Sequence, residues 1–468
     1  MRKLYWYLTA YTKKHGLVVA VSVIAAVLIF SFMVPTLVTN IEKNNRKYIG
    51  IVGTYSLEKL PPRIASQLSA GLTKIEEDGS TAPALSERWT IENDGKTYRF
   101  AIKENIFWQD GKLLEPEDIP YNLADVETII TPNDIVFKLP DAYAPFPNVV
   151  SQPIFRVSEE KYHFFFSRPT LIGIGKYHIG DYQLDSRKNL EQLIVDGQNE
   201  RFIYRFYATE DAAVQALKHG AIDGIHDLSK SYDVFDWNTM KITSELDTSH
   251  YLAVFFNMRD PLLDKNVRQA LSYALEKPGS DIRAVGPLNP KSWAHFTGGK
   301  TYDKSLERAS ERMLATIPPF PLNLTLTTTS LFETTAEKIK KEWEEFGVKV
   351  YEDCKNASAI TDKAECEKLK IAVQIKITNF PDTSNFQVLL IGQEIPPDPD
   401  QYQLWHSEQP TNFTGYKNTR IDNLLEKGRQ TFNAQERTEI YQEFQQFFLE
   451  DAPAVFLNYL TNYTIERK

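Results

Sequence analysis

Hydrophobic and polar positions follow two different periods along this chain, and each period predicts its own kind of element. In residues 97–103, Tyr98, Phe100 and Ile102 alternate with polar or small residues. The turn sequence Asn-Asp-Gly-Lys stands directly before them. Strict alternation after an Asp-Gly turn predicts the second strand of a β-hairpin, with one face buried.

Other segments have apolar residues three and four positions apart, which is typical of amphipathic helices. Residues 267–275 carry one such stripe, and residues 336–346 carry another. Gly347 follows the second stripe, and glycine is common just after the end of a helix. We therefore predict that this helix ends at Gly347 and that residues 348–351 form a strand.

Capping residues predict the ends of two more helices. Thr209 is placed to cap a helix that Gly220 would end, before an extended segment. Asn433, with Glu436 three residues later, resembles a capping box and predicts another helix. Strands that alternate with helices of this length indicate α/β lobes.

The most apolar part of the chain is residues 17–34, a stretch without charge that continues to residue 38. It is long enough to cross a hydrocarbon core of roughly 30 Å. A buried core helix and a cleaved signal peptide are the alternatives. The stretch lacks a polar face, exceeds a usual signal core and is followed by no Ala-x-Ala site. Because the first cysteine is Cys354, a lipoprotein signal is excluded, and we expect an uncleaved anchor.

The distribution of charge gives the expected orientation and excludes two kinds of partner. Lys13 and Lys14 lie directly before the apolar stretch and favour a cytoplasmic N-terminus. The formal net charge is −9, and the basic first 47 residues leave the remainder more acidic still. An acidic domain is unsuited to binding nucleic acid or an anionic lipid surface.

The chain has two cysteines, Cys354 and Cys366. In an exported domain they would close a short disulfide loop, and the alternative is a pair of free thiols. Two cysteines without neighbouring histidines make a poor metal site. We expect no metal site and no cofactor.

Catalytic motifs are missing from the sequence. It has no Gly-x-Ser-x-Gly, His-Glu-x-x-His, Walker or Gly-x-Gly-x-x-Gly motif. The segment Pro-Pro-Asp-Pro-Asp at 396–400 has two carboxylates in a stiff backbone. It is either a rigid turn that positions its neighbours or a ligand contact. An enzyme is therefore not expected.

Eight segments, spread in order over more than half of the chain, carry a family resemblance. They are Pro-Ala-Leu-Ser-Glu-Arg-Trp at 83–89, Asp-Gly-Lys-Thr-Tyr-Arg-Phe at 94–100, Trp-Gln-Asp-Gly at 108–111, Glu-Asp-Ile at 117–119, Ile-Gly-Lys-Tyr at 174–177, Val-Arg-Gln-Ala-Leu-Ser-Tyr-Ala at 267–274, Gly-Pro at 286–287 with Trp293, and Asp-Pro-Asp at 398–400 with Tyr402 and Trp405. In this order they resemble the extracellular solute-binding proteins that include oligopeptide-, dipeptide- and nickel-binding proteins (family 5).

The resemblance implies an α/β, bilobal fold of the periplasmic-binding-protein type (type II) with a hinge, preceded here by one N-terminal transmembrane helix. At 468 residues the chain is too long for a single core, which agrees with two lobes. The expected parts are a cytoplasmic tail at 1–16, the anchor at 17–38, a stalk at 39–47, lobe 1 at 48–245 plus 440–468, with a reduced subdomain, and lobe 2 at 246–439.

The resemblance also implies which residues contact the ligand between the lobes. They are Gly53, Thr54, Tyr55, Phe255, Asn257, Gly392, Gln393, Glu394, Asp398, Asp400 and Trp405. Peptide-binding members place an aspartate three residues before the Asp-Pro unit, where it pairs with the α-amino group of the ligand. This chain has Ile395 there, with Glu394 one residue earlier.

The expected function is capture of peptides or similar small solutes at the outer face of a cell membrane. The protein would act as a monomer and deliver its ligand to the permease subunits of an ATP-binding-cassette (ABC) importer, without binding nucleic acid. Two alternatives stay open. The same fold would also suit a sensor or docking protein that reports ligand occupancy, or a binder of a non-peptide solute such as a nickel complex or a sugar.

Overall fold

The computed structural model describes residues 14–17, 21–22, 24–27, 46–162, 166–357 and 362–468. The first three of these short ranges are helical. Most of the predicted anchor at 17–38 lies outside the described residues. Within the ranges that are described, none of the helices has the length and apolar character needed to span a bilayer.

The chain alternates strands and helices, as the sequence pattern indicates. The strands are β1 (Arg46–Val52), β2 (Thr73–Ile75), β3 (Thr81–Pro83), β4 (Ser86–Glu92), β5 (Thr97–Ile102), β6 (Glu127–Ile130), β7 (Asp134–Lys138), β8 (Arg156–Tyr162), β9 (Phe166–Ile172), β10 (His178–Leu184), β11 (Leu190–Asp196), β12 (Arg201–Tyr207), β13 (Gly224–Leu228), β14 (Met240–Phe256), β15 (Leu322–Thr328), β16 (Ile371–Ile377), β17 (Val388–Glu394) and β18 (Ala454–Arg467). The helices are α1 (Pro62–Leu68), α2 (Phe146–Val149), α3 (Glu210–Lys218), α4 (Lys265–Ala274), α5 (Leu306–Ala315), α6 (Glu333–Asn356), α7 (Tyr402–Trp405), α8 (Thr419–Gln430) and α9 (Ala434–Asp451).

The chain divides into two compact units. Unit 1 comprises Met1–Pro61, Lys176–His226 and Glu466–Lys468, and unit 2 comprises Pro62–Gly175 and Asp227–Ile465. In unit 1 the strand order is β10-β11-β12-β1, and β12 pairs with β1 in parallel over its whole length. A helix, α3, connects β12 to β13, as the parallel crossover of an α/β sheet requires.

Both predicted ends of α3 are confirmed. The hydroxyl of Thr209 accepts a hydrogen bond from the N–H of Ala212 and so caps the first turn. Gly220 has φ +72°, a left-handed backbone that glycine adopts without strain. The Asn433 cap is confirmed in the same way, because its side chain accepts the N–H of Glu436 at the start of α9.

The central sheet of unit 2 has the order β18-β14-β17-β15-β16. Its strand β14 is buried on both faces over its last six residues, 251–256. Leu252, Val254 and Phe256 point into one core, and the residues that alternate with them point into another. Such a continuous apolar run is typical of a strand covered on both sides. The first core is covered by α4, α5 and α6, and the second by α8 and α9.

The prediction that a helix ends at Gly347 is wrong. Helix α6 runs through this residue to Asn356, and residues 348–351 are helical rather than extended. A Cβ atom on Gly347 would lie 2.8 Å from the backbone nitrogen of Ile371, the first residue of β16. The glycine is therefore explained by the close packing of the helix on this strand, and not by a helix stop.

A separate sheet with the order β4-β5-β7-β6 forms the centre of Pro62–Gly175. The predicted hairpin is confirmed, because β4 pairs with β5 in antiparallel register. Three consecutive residues with positive φ, Asn93, Asp94 and Gly95, make the turn between them. Tyr98 and Phe100 of β5 are fully buried in the core of this sheet.

The two cysteines are bonded to each other. Cys354 and Cys366 have an S–S distance of 2.00 Å and a Cα–Cα distance of 5.8 Å. Both are fully buried in the first core of unit 2. The bond joins the last turn of α6 to the short 3₁₀ segment Lys363–Leu369.

We expect removal of this bond to destabilise unit 2. Closing a loop with a sequence separation of 12 residues stabilises a fold by about 3 kcal/mol, since it restricts the unfolded chain. The Cys354→Ala/Cys366→Ala variant should therefore unfold at a lower urea concentration, measured by circular dichroism. A reducing agent should lower the midpoint of the wild type but not that of the variant. Equal midpoints for wild type and variant would contradict this account.

Candidate functional site

In unit 1, the predicted site residues Gly53, Thr54 and Tyr55 directly follow β1. Gly53 has φ +125°, and its N–H donates to the carbonyl of Tyr207 at 2.8 Å. A Cβ atom on this residue would meet the ring of Tyr55, so the bend requires glycine. The Tyr55 ring lies 5.7 Å from that of Phe206, and Thr54 is exposed.

In unit 2, the predicted residues Gly392, Gln393 and Glu394 are the last residues of β17. They pair in antiparallel register with residues 250–252 of β14. On the other side, β15 pairs with β17 only as far as Leu390. In the part of the chain that the structure describes, no strand covers that side of Gly392, Gln393 and Glu394. The sheet therefore has a short open edge at these residues.

Side chains alternate sharply where β17 ends. Glu394 is exposed, whereas the next residue, Ile395, is 3% exposed and packs in the second core. The backbone N–H of Ile395 donates to the carbonyl of Ser249 at 2.7 Å, which continues the pairing with β14. A carboxylate at position 395 would be buried among apolar side chains, and the exposed carboxylate is that of Glu394.

Phe255 and Trp405 are brought together, but inside the second core of unit 2. Both side chains are fully buried, with ring centroids 6.1 Å apart. The ring centroid of Trp405 also lies 4.5 Å from that of Phe448. Asn257 lies just after β14, where its side-chain amide donates to the carbonyl of Phe386 at 2.7 Å.

Asp398 forms a bidentate ion pair with an arginine that the sequence analysis did not single out. Arg437 donates through its two terminal nitrogens to the two carboxylate oxygens, at 2.8 and 2.6 Å. The side chains are 9% (Arg437) and 12% (Asp398) exposed. Burial alone would lower the pKa of Arg437, but the charge and hydrogen bonds of Asp398 raise it above the usual value.

Asp400 is held by a second arginine. The Nε of Arg429 donates to it at 2.9 Å, and the N–H of Tyr402 donates to its other oxygen at 3.0 Å. Burial raises the pKa of Asp400, and the charge of Arg429 opposes this shift. The Arg429 guanidinium lies over the ring of Tyr402 at 4.2 Å and that of Tyr143 at 4.9 Å. Both aspartates therefore have their charge balanced within unit 2.

A small polar cluster lies beside the open edge of β17. The carboxylate of Asp247 is 2.8 Å from Nδ1 of His250 and also accepts from the hydroxyl of Ser249. Burial would raise the pKa of Asp247, but these hydrogen bonds lower it to about 2. The hydrogen bond to Asp247 raises the pKa of His250, and the charge of Glu394, its register partner, adds to this shift.

Sequence reasoning missed Arg437 and His250, although Arg437 left a visible signal. Arg437 stands four residues before Tyr441 on the apolar stripe of α9. A charge on a buried stripe indicates a buried partner. His250 lies in a long strand without a comparable signal. In the described parts of the chain, no group of three or more His, Cys, Asp or Glu side chains is placed to hold a metal ion.

The middle of the chain matches a known family. Residues 124–395, more than half of the sequence, match the family described as "Bacterial extracellular solute-binding proteins, family 5 Middle". The oligopeptide-binding protein AppA of Bacillus subtilis is 24% identical over 479 residues, which cover 87% of this chain and 84% of the relative. The periplasmic oligopeptide-binding protein OppA of Salmonella typhimurium is 19% identical, with 90% and 87% covered.

Solved structures of the same kind share the fold. NikZ from Campylobacter jejuni, in complex with Ni(L-His), is 22% identical with a TM-score of 0.66. AppA from Bacillus subtilis, in complex with a nonapeptide, is 19% identical with a TM-score of 0.58. Each comparison covers 90% of this chain and 94% of the other. The predicted α/β fold of the periplasmic-binding-protein type is confirmed for the part that the structure describes.

We expect Asp398→Ala to destabilise unit 2 by about 3–5 kcal/mol, because it leaves the buried guanidinium of Arg437 without a counter-charge. Urea unfolding measures the change. The double variant Asp398→Leu/Arg437→Met should recover most of the loss, since it removes both charges. As a control, Asp141→Ala alters a carboxylate that is 85% exposed and should change stability by less than about 1 kcal/mol. An Asp398→Ala protein as stable as wild type would refute this role.

We expect stability to decline as pH rises through the pKa of folded His250. That pKa is raised above the ordinary value of about 6.5. The protonated side chain therefore contributes stability that is complete below about pH 6.5 and is lost as pH passes the raised value. Asp247 adds no slope in this range, because its pKa is lowered to about 2. His250→Gln should flatten the decline, measured by thermal unfolding at several pH values.

His219, an exposed histidine of unit 1, provides the matched control. His219→Gln should keep the wild-type decline. A His250→Gln protein with an unchanged pH profile would show that another group causes the slope.

Proposed function

This chain belongs to the bacterial extracellular solute-binding proteins of family 5, and we propose that it captures peptides at the outer face of a cell membrane for an ABC importer. The family is non-enzymatic, and its members are importer solute-binding proteins of the peptide and nickel type. The peptide ligand, the membrane anchor and the ligand contacts are our proposals.

The open edge of β17 is the observation that carries the peptide proposal. Gly392, Gln393 and Glu394 extend beyond the last residue paired with β15, so within the described part of the chain no strand pairs with one side of their backbone. An extended peptide can pair with such an edge as an added strand, with main-chain hydrogen bonds that do not depend on its sequence. This mode suits a carrier that accepts many different peptides.

Glu394 is the carboxylate that we propose for the α-amino group of the ligand. Its side chain is exposed at the end of the open edge. In contrast to Asp398 and Asp400, it has no ion pair with a lysine or arginine among the described residues. The negative charge of Glu394 contributes to the raised pKa of His250. The carboxylate therefore remains available to a cationic ligand group.

We further propose that the two lobes close on the ligand by a hinge motion. Closure around a ligand is a common motion of two-lobed binding proteins. Gly53, Thr54 and Tyr55 would contribute from lobe 1, and Asn257 from lobe 2. Phe255 and Trp405 are both buried in the second core, so they would support the ligand-binding residues from within that core.

The anchor at 17–38 would hold the protein to its membrane as a single-pass, monomeric subunit. Its support is the uncharged apolar stretch at 17–34 and the presence of Lys13 and Lys14 directly before it. Peptides captured outside would then be released to the permease subunits of the importer without diffusing away.

The full-length protein, purified in detergent from cells grown on a peptide-rich medium, should carry peptides. Denaturation releases them for identification by mass spectrometry. Glu394→Gln should bind peptides with a free α-amino group roughly tenfold more weakly, because a hydrogen bond to a charged group contributes about 1.5–3 kcal/mol. Isothermal titration calorimetry measures the difference.

Two controls separate recognition of the amino group from general charge effects. Glu337→Gln removes an exposed carboxylate from α6 and should leave binding unchanged. N-acetylated peptides should bind the wild type and Glu394→Gln equally. Recovery of no peptide, with no response to peptide libraries, would contradict the peptide proposal. Binding of Ni(L-His) in its place would identify a nickel-type ligand.

A further inference from the structure

Unit 2 contains a cavity of about 530 Å³ that the proposed peptide site does not use. One side is formed by residues of Pro62–Gly175 and the other by residues of Asp227–Ile465. Three aromatic side chains, Trp89, Trp293 and Phe432, form much of its wall. The volume lies in the range of about 300–1,000 Å³ that small-molecule sites occupy.

The aromatic walls are fixed by their neighbours. The backbone N–H of Trp293 donates to the carbonyl of Asp78 at 3.0 Å. The ring of Phe432 packs on the turn before β5, where a Cβ atom on Gly95 would overlap it. The Trp89 ring lies 5.9 Å from that of Phe100 in the core beneath. The aromatic rings that bound the cavity are therefore held in place by neighbouring residues.

The cavity offers no free charge to a ligand. Among the described residues that line it, the charged ones are Asp398 and Arg437. Each is the bidentate partner of the other, and the third guanidinium nitrogen of Arg437 donates to the carbonyl of Gly428 at 2.7 Å. The guanidinium also lies 5.3 Å from the centroid of the Trp293 ring. A charged ligand would lose its hydration here without gaining a counter-ion.

Apolar surface in the cavity is open to water. Ile91 is 42% exposed and Phe432 is 37% exposed, and both line the cavity. Covering apolar surface with a ligand is favourable, and flat rings meet other aromatic rings in stacked or edge-on contacts that add to this gain. An uncharged ring is the group that these walls accommodate best.

We propose that this cavity binds an uncharged aromatic group. The group would come either from the side chain of a captured peptide or from a free aromatic solute. The first source rests on the proposed function, and the second does not. In both cases the ring lies between Trp89, Trp293 and Phe432. It lies over the ion pair of Asp398 and Arg437, in which the two charges balance.

The test uses the full-length chain in detergent and isothermal titration calorimetry. The free probe is N-acetyl-L-tryptophanamide, compared with N-acetyl-L-leucinamide. The peptide probes are two tetrapeptides that differ only in Trp or Leu at one position. We expect the aromatic member of at least one pair to bind about tenfold more tightly, as for a group that fills a pocket.

A variant that fills the cavity locates the preference. Ala434 lines the cavity at the first residue of α9 and is exposed. Ala434→Trp should abolish the aromatic preference. Gln446→Trp adds the same ring at an exposed position of α9 that does not line the cavity, and it should behave as wild type. Should Ala434→Trp not fold, Trp293→Leu removes one wall and keeps the backbone bond to Asp78.

The outcomes distinguish this proposal from the peptide proposal. Peptides that bind with no preference for Trp, together with a free probe that does not bind, would overturn the cavity site and leave peptide capture intact. Binding of the free probe, lost in Ala434→Trp, without binding of any peptide would support the cavity site and contradict peptide capture. A preference for Trp that persists in Ala434→Trp would place the aromatic site elsewhere.

Discussion

The structure of unit 2 depends on one constraint, the burial of β14 on both faces. Its last six residues are all apolar and alternate between two cores, so a shift of register by one residue would exchange every side chain between them. This fixes the pairing of β14 with β17. Because β15 pairs with β17 only as far as Leu390, the residues that β14 holds beyond that point, Gly392, Gln393 and Glu394, form the open edge.

The carboxylates at the end of β17 and in the segment that follows it have different surroundings. Asp398 and Asp400 each take an arginine from the helices that follow, Arg437 in α9 and Arg429 in α8. These pairs hold the proline-rich segment against both helices and leave its carboxylates neutralised. Glu394, a few residues earlier, is exposed. Two aspartates that the family resemblance associates with ligand contact thus have structural partners, while the neighbouring glutamate is open to solvent.

Features governed by local rules could be predicted from the sequence. The β4–β5 hairpin and the caps at Thr209 and Asn433 depend on residues a few positions apart, and all were confirmed. Gly347 was misread because its role depends on a strand more than twenty residues further along the chain. The partner of Asp398 was missed because it lies 39 residues away. The three aromatic residues of the cavity wall lie far apart in the sequence, and no local pattern connects them.

The position of β18 in the sheet has a consequence for how this protein is made. β18 lies beside β14 and contributes residues to both cores, yet roughly two hundred residues separate the two strands along the chain. Neither core is complete until β18 has joined the sheet. Contacts between such distant segments form slowly, because the long intervening chain must first be ordered. We therefore expect both cores of unit 2 to form late in folding, after the C-terminal strand has joined the sheet.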